Sequence, residues 1–308
     1  MAAVNGHQEH ADSHFSPYRS DGKLYGFVCV VTGAIQPVGR AIIAELAAHG
    51  AACVYACSTS PNDDYASLEA EVNAKFPSTK VIGYPFKLAN EEDTLQLIDD
   101  VLNSWGRLDV FITSSGLLGP PTIADTTPAD IHKLFEANAL MPFFALKYAP
   151  PAMQKTTPKG NYPNAAPKDQ SYGSIIVVSS VASTSGGCWG PAFTMSNHAA
   201  LGVVRAGVAS LKGTGVRINC ISPGQIDVGV DLQELDKRGH GHHQLPPSSL
   251  QSKEAQRQMI GLERAGMPNE VARAVGFLSS GFSSYLHGHN LVLDGGSSVM
   301  NPLTVPLS

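Results

Sequence analysis

Two stretches of this chain bring residue types that do chemistry into close spacing. The first, Thr32-Gly33-Ala34-Ile35-Gln36-Pro37-Val38-Gly39-Arg40, leaves an apolar run and opens a helical pattern. Glycines in a strand-to-helix turn let backbone N–H groups approach an anion at the helix N-terminus. The second is Ser179-Ser180, which closes another apolar run and is followed by Trp189, Phe193, Met195, Asn197 and His198. Ser180 is a hydroxyl that either donates to a substrate oxygen or caps the end of its own strand. His198 is the nearest side chain able to exchange a proton near neutral pH; helical geometry turns it about 100° from Asn197, so a buried or interface histidine is the competing assignment. Trp189, Phe193 and Met195 bring apolar surface to the same stretch, either as wall for an apolar ligand or, for Trp189 and Met195, as core packing. Gln225 and Asp227, just after Pro223-Gly224, are further polar contributors or simply bond their own loop.

No metal site is expected. His7, His10 and His14 lie in a polar N-terminal stretch, and His240-Gly241-His242-His243 sits among glycines without a carboxylate at ligand spacing, which reads as tail and loop.

The elements that must position these residues alternate along the chain. Apolar runs at 27–32, 52–57, 81–86, 108–113, 174–179, 217–222 and 290–293 are separated by helical patterns at 38–49, 65–76, 91–105, 131–153, 191–211 and 269–279. Short runs rich in Val and Ile, each followed by a crossover long enough to be helical, describe a parallel sheet covered on both faces. The expected fold is α/β: a single doubly wound Rossmann-type domain over 24–300, with a seven-stranded, mostly parallel sheet. Residues 1–23 read as a disordered tail and 301–308 as a C-terminal tail. The segment 154–172, rich in Pro, Lys and Asn, reads as a surface insertion, and 228–258 as a mobile lid past the carboxyl end of the sixth strand.

Composition narrows the partners. The chain has 308 residues, 43% hydrophobic and only 15% charged, and Lys+Arg 21 against Asp+Glu 26 leave a net charge of -5. No basic field exists to hold nucleic acid or an anionic membrane. Cysteines at 29, 53, 57, 188 and 220 form no close pair, which favours a reducing compartment, and the tail lacks the apolar stretch of a signal peptide, so a cytoplasmic location is expected.

In their order and spacing, several pieces resemble the short-chain dehydrogenase/reductase family. They are the Thr32 to Gly39 turn, Asn138 in a helix ending Pro150-Pro151-Ala152-Met153, Ser179-Ser180, Arg217-Ile218-Asn219 leading to Pro223-Gly224, Glu270-Val271-Ala272, and Leu293-Asp294-Gly295-Gly296. The resemblance implies a nicotinamide dinucleotide on the Gly-rich turn, a substrate-binding serine at Ser180, and a tyrosine and lysine one helical turn apart that deliver the proton. At those two positions stand Phe193 and Asn197, within Phe193-Thr194-Met195-Ser196-Asn197, and no tyrosine lies between Ser180 and Pro223. Phenylalanine has no ionisable proton, and asparagine gives no positive charge to bring a phenol down from about 10. Cofactor positions also depart from the family: Pro37 replaces the middle glycine, Cys57 the acidic residue expected to hold the ribose, and Lys87 an aspartate beside the adenine. Gly33, Pro37, Gly39, Ser58 and Lys87 are thus expected to form a vestigial dinucleotide site.

These departures lead to the expectation of an enzyme of specialised metabolism that requires no cofactor and performs cyclisation, isomerisation or elimination on a hydrophobic small molecule. Ser180, Asn138 and His198 then carry the chemistry, with Asn138 either binding water or bracing its helix, and any residual dinucleotide binding favours NADP(H). The alternatives are an NADP(H)-dependent reductase with a substituted proton donor and an inactive binding or regulatory subunit. The family likeness further implies a homodimer or homotetramer.

Overall fold

The computed structural model describes residues 21–59, 62–87, 89–157, 167–186, 189–229 and 252–300. In chain order the elements are β1 (Val28–Thr32), α1 (Pro37–Ala48), β2 (Cys53–Ser58), α2 (Tyr65–Lys75), β3 (Lys80–Pro85), α3 (Glu91–Trp105) and β4 (Val110–Thr113). There follow α4 (Pro128–Phe135), α5 (Met141–Met153), β5 (Gly173–Val178), α6 (Pro191–Ser210), β6 (Val216–Pro223), α7 (Lys253–Met259), α8 (Pro268–Ser279) and β7 (Asn290–Leu293). The strands form one sheet in the order β3-β2-β1-β4-β5-β6-β7. Every neighbouring pair is parallel. Chain order reverses between β1 and β4, and ligands of open parallel sheets bind beyond the carboxyl ends of the strands at such a point.

Burial on both faces explains why the interior strands read as continuous apolar runs; the edge strands β3 and β7 are only partly buried. All five residues of β1 are buried; Val28 and Val30 join the core on one face, Cys29 and Val31 that on the other. Helix boundaries follow local chemistry. Asn90 accepts from the Asp93 N–H at the start of α3, three acidic residues fill that helix's first turn, and Gly106 ends it in the left-handed region at φ 70°. Thr127 and Asp130 form a reciprocal capping box before α4, with Pro128 in the first turn.

Two expectations need correction. The continuous helix over 131–153 is broken by a π-helical turn, Glu136–Leu140, between α4 and α5. That turn contains Asn138, whose side chain bonds outside its own helix. The 154–172 segment is not wholly superficial: Thr157 and Lys168 exchange backbone hydrogen bonds, and the Lys168 side chain is fully buried with its Nζ 3.1 Å from Asp109. Sequence reasoning reads lysine as surface, whereas here an interior carboxylate holds it.

The packed domain also begins earlier than the expected residue 24. Asp21 lies 3.0 Å from the ring of His49 and Leu24 is fully buried. Residues 1–20 and 301–308, and most of the expected lid including His240 to His243, lie outside the described residues; of that lid, 253–258 belong to α7, with Ser252 as its N-cap. Among the described residues no helix is long and apolar enough to cross a membrane.

Candidate active site at the carboxyl ends of the strands

The Gly-rich turn is built into the switch point by close backbone contact. Gly33 has φ +68°, and a Cβ there would stand 2.7 Å from the Ser114 carbonyl oxygen; one at Gly39 would stand 2.1 Å from the Gly33 carbonyl oxygen. Neither position accepts a side chain. Thr32 and Ser115 hydroxyls meet at 3.0 Å, and the Ser114 N–H donates to Thr32 Oγ1 at 3.2 Å, so the exits of β1 and β4 are held together. Pro37 occupies the first turn of α1, where its missing N–H breaks no helical bond, and Gln36 makes no side-chain cap. The first-turn N–H groups of α1 therefore have no side-chain acceptor from their N-cap. At the end of β4, on the sheet face away from α1, Thr113 Oγ1 is buried without a hydrogen-bond partner among the described residues. A cradle shaped by two glycines and an uncapped helix start fits the pyrophosphate of a dinucleotide.

At the adjoining ribose position Cys57 is fully buried, and burial pushes its thiol far above the usual range. It is packing, not a polar contact for a sugar. Ser58 instead hydrogen-bonds Asp63, from the loop before α2. Sequence reasoning missed Asp63 because it looked for the acid at the strand end itself; the Asn62-Asp63-Asp64 run after Pro61 is the signal that was available. Lys87 is exposed, and its backbone N–H donates to Asp93 Oδ2 at 2.9 Å.

Around Ser180 the structure gives each residue a partner. Asn197 is 4% exposed; its Oδ1 accepts from Ser179 Oγ at 2.7 Å and its Nδ2 donates to the Phe193 carbonyl at 2.9 Å. Ser180 points differently from Ser179, as adjacent extended residues do. Its Oγ accepts from the Ala182 N–H at 3.2 Å, which uses a lone pair and leaves the O–H proton to donate. Asn138 Oδ1 accepts from the Leu117 N–H at 2.8 Å, while Nδ2 donates to the Leu117 carbonyl and to Ser196 Oγ, both at 2.9 Å. With both N–H bonds and its carbonyl engaged, Asn138 braces the β4 exit loop against α6. Ser196, fully buried, is a second residue that sequence reasoning missed; its place between Phe193 and Asn197 on the inward face of α6 was the clue.

Other expected site residues are placed as follows. Phe193 is half-buried on the same side of α6 as Asn197, one turn away. Trp189 is half-buried with its indole N–H on the Gly119 carbonyl at 3.0 Å, which fastens the segment before α6 to the loop after β4. Met195 and His198 must be corrected. Met195 is 47% exposed, and His198 is exposed with Nδ1 3.0 Å from the Thr194 carbonyl of its own helix. Both lie on the solvent side of α6, because they stand 200° and 500° around the helix from Phe193 at about 100° per residue. Gln225 is half-buried, its carbonyl accepting from the Gly266 N–H at 3.0 Å. Asp227 is exposed and caps its own loop, Oδ1 accepting from the Gly229 N–H at 2.9 Å.

Comparison with known proteins gives this geometry a lineage. The family model described as Enoyl-(Acyl carrier protein) reductase matches residues 33–298. The chain is 31% identical over 303 residues to the sex determination protein tasselseed-2 of Zea mays, covering 91% of this chain and 82% of that protein. It is 29% identical over 289 residues to (+)-borneol dehydrogenase 2 of Salvia officinalis, covering 93% and 94%. The crystal structure of levodione reductase superposes with a TM-score of 0.76 at 22% identity, covering 90% of this chain and all of that one, a likeness of fold.

These findings overturn the expectation of a cofactor-free cyclase, isomerase or eliminating enzyme, and with it that of an inactive subunit. Relatives named as reductases and dehydrogenases point to redox chemistry with NAD(P)(H). The physical reason is that Phe193 and Asn197 remove a route for the proton, whereas hydride transfer depends on the cradle, and Gly33 and Gly39 still form it. The matched family model and the aligned relatives together establish that this chain belongs to the short-chain dehydrogenase/reductase family.

Proposed function

We propose that this protein is a nicotinamide-dependent oxidoreductase that interconverts an alcohol and a carbonyl on a hydrophobic small molecule, without a phenolic proton donor. The observation that carries this reading is the close-packed Gly33–Gly39 cradle at the switch point, before the uncapped start of α1. A bound nicotinamide dinucleotide supplies or accepts the hydride. Ser180 Oγ–H donates to the substrate oxygen and stabilises the negative charge that develops there during reduction. The proton that completes the alcohol comes from water, since Phe193 and Asn197 have none to give. Asn138, Asn197 and Trp189 act by position, fixing the loop after β4, the segment before α6 and α6 itself around Ser180. The relative named a borneol dehydrogenase supports an apolar substrate.

The test is calorimetric titration of the purified chain with NAD+, NADH, NADP+ and NADPH, followed by turnover with apolar secondary alcohols and ketones. The reading expects micromolar binding of at least one dinucleotide, and turnover that falls in Ser180→Ala. Absence of binding by all four defeats it.

Assembly is part of the same reading. Phe277 on α8 and Val292 on β7 are 37% and 38% exposed, which supports pairing of copies through these elements. Sedimentation showing only a 32.4 kDa species at micromolar concentration counts against it.

A further inference from the structure

At the opposite end of the sheet from the crevice, a cavity of about 1030 Å³ opens beside the amino ends of β5 and β6. Its apolar wall is formed by Phe27, Tyr172, Val208, Leu211 and Val216, and its lining also includes Arg205, Lys212, Arg217 and His287. The charge around it is one-sided. Asp109 lines the cavity too, but both its oxygens are occupied: Arg107 donates to each at 2.9 Å, the Val28 N–H donates to Oδ2 at 2.8 Å, and Lys168 Nζ lies 3.1 Å from Oδ1. Arg107 and Lys168 are fully buried, so this interior cluster holds two cations against one carboxylate. Asp169, whose charge also acts on Tyr172, does not line the cavity.

Arg217 adds to the excess. Its guanidinium donates to the carbonyls of Leu278, Leu286 and Ser280 at 3.0, 3.2 and 3.3 Å. Carbonyl dipoles orient the fork but leave its charge uncompensated. Tyr172 separates the buried cations from the cavity: its hydroxyl accepts from Arg107 at 2.8 Å, Lys168 Nζ stands 4.5 Å from its ring centroid, and the ring packs against Phe27 at 5.7 Å. A pocket with apolar walls, a fixed guanidinium and no free acid is matched to an anion carried on an apolar body.

We propose that this cavity is a second ligand site, separate from the redox crevice, that binds an amphipathic carboxylate. The carboxylate sits toward Arg217, Arg205 and Lys212, and the apolar body lies along Phe27, Tyr172 and Leu211. Both ends of the ligand are needed: the anion without the body leaves the wall wet, and the body without the anion leaves the guanidinium unpaired.

The experiment is isothermal titration of the full chain with dodecanoate, dodecanol and dodecyltrimethylammonium, in the presence of saturating dinucleotide so that the crevice is occupied. Dodecanoate is expected to bind at one site per chain, at least about tenfold tighter than dodecanol, with the cation not binding. Arg205→Glu/Lys212→Glu should weaken dodecanoate by about tenfold. Ala209→Trp, which places a ring from the exposed lining of α6 into the cavity, should abolish binding while circular dichroism and dinucleotide affinity are unchanged. Equal affinity for dodecanol and dodecanoate overturns the proposal, as does unaltered binding in Ala209→Trp. So does absence of dodecanoate binding combined with loss of the oligomer in Ala209→Trp, which would make this face a contact between copies.

Discussion

Ser179 Oγ donates to Asn197 Oδ1 at 2.7 Å, so the residue at the family's lysine position is tied to the end of β5 and not to a cofactor ribose or a phenol. On the function proposed above, positioning at this site is kept while delivery of a proton by a side chain is not. Restoring that delivery is a direct test. Positioned general acids contribute about 10²- to 10⁴-fold. Phe193→Tyr/Asn197→Lys should therefore raise turnover at neutral pH by about a hundredfold and introduce a pH dependence that the parent lacks. Stopped-flow oxidation of the reduced cofactor across pH 6–10 reads both. A double variant no faster than its parent shows that Phe193 does not face the reacting oxygen.

Asn138 is expected to matter for stability more than for proton transfer. Asn138→Ala leaves the Leu117 backbone groups and the Ser196 hydroxyl without their present partner. The expected cost is about 1–3 kcal/mol, read as a lowered urea midpoint at unchanged m. A midpoint equal to the parent's removes the bracing role.

Cofactor preference turns on Asp63. Cys57 alone leads to an expectation of NADP(H), but the Asp63 carboxylate on Ser58 restores an acidic group at the end of β2. NAD(H) should bind tighter than NADP(H), because a carboxylate accepts from a ribose diol and repels a 2′-phosphate. Asp63→Asn should shrink the ratio by about tenfold, mostly through improved NADP(H) affinity. Calorimetry showing tighter NADP(H) binding by the parent contradicts this assignment.

Acid stability should depend on Glu270. Arg264 grips its carboxylate at 2.8 and 2.9 Å and, as the largest influence, holds its pKa below the ordinary carboxylate range. A depressed carboxylate pKa adds stability that is fully present above the unfolded value near 4.5 and is lost as pH falls through the lower folded value. Glu270→Gln should therefore be less stable than the parent at pH 7 and converge toward it at low pH. Melting temperatures at pH 7, 4 and 3 check the sign; a gap that widens on acidification refutes it. The pair is partly exposed, so the effect is modest.

The alternation of apolar runs and helical patterns is enough to read all seven strands: the interior ones are buried on both faces and almost continuously apolar, and the partly exposed edge strands β3 and β7 still carry short Val, Ile or Leu runs. Helices α3 and α6 were legible from their periodicity and boundary residues. The π turn at Glu136–Leu140 was not, since nothing in local propensity distinguishes it; Asn138 acquires its partners from elements distant in sequence. In the same way Phe193 and Asn197 were visible as substitutions, but the function drawn from them was wrong. Phe193 and Asn197 bear on the proton alone, whereas the two retained glycines shape the site on which hydride transfer depends. Lys168 was unreadable for a different reason: the carboxylate that receives it lies across the fold at Asp109.

The backbone pairing of Thr157 with Lys168, at 2.8 and 2.9 Å, sets where this scaffold can change length. Both ends of the stretch 158–167 are clamped beside each other, and Lys168 anchors one of them in the interior. Closing a longer chain across such a clamp adds little, about 0.6 kcal/mol for each doubling. On closure entropy alone, the pairing of these two residues is therefore nearly indifferent to the length of chain that joins them, and an insertion here is expected to leave the sheet, the crevice and the cavity at its far end in register.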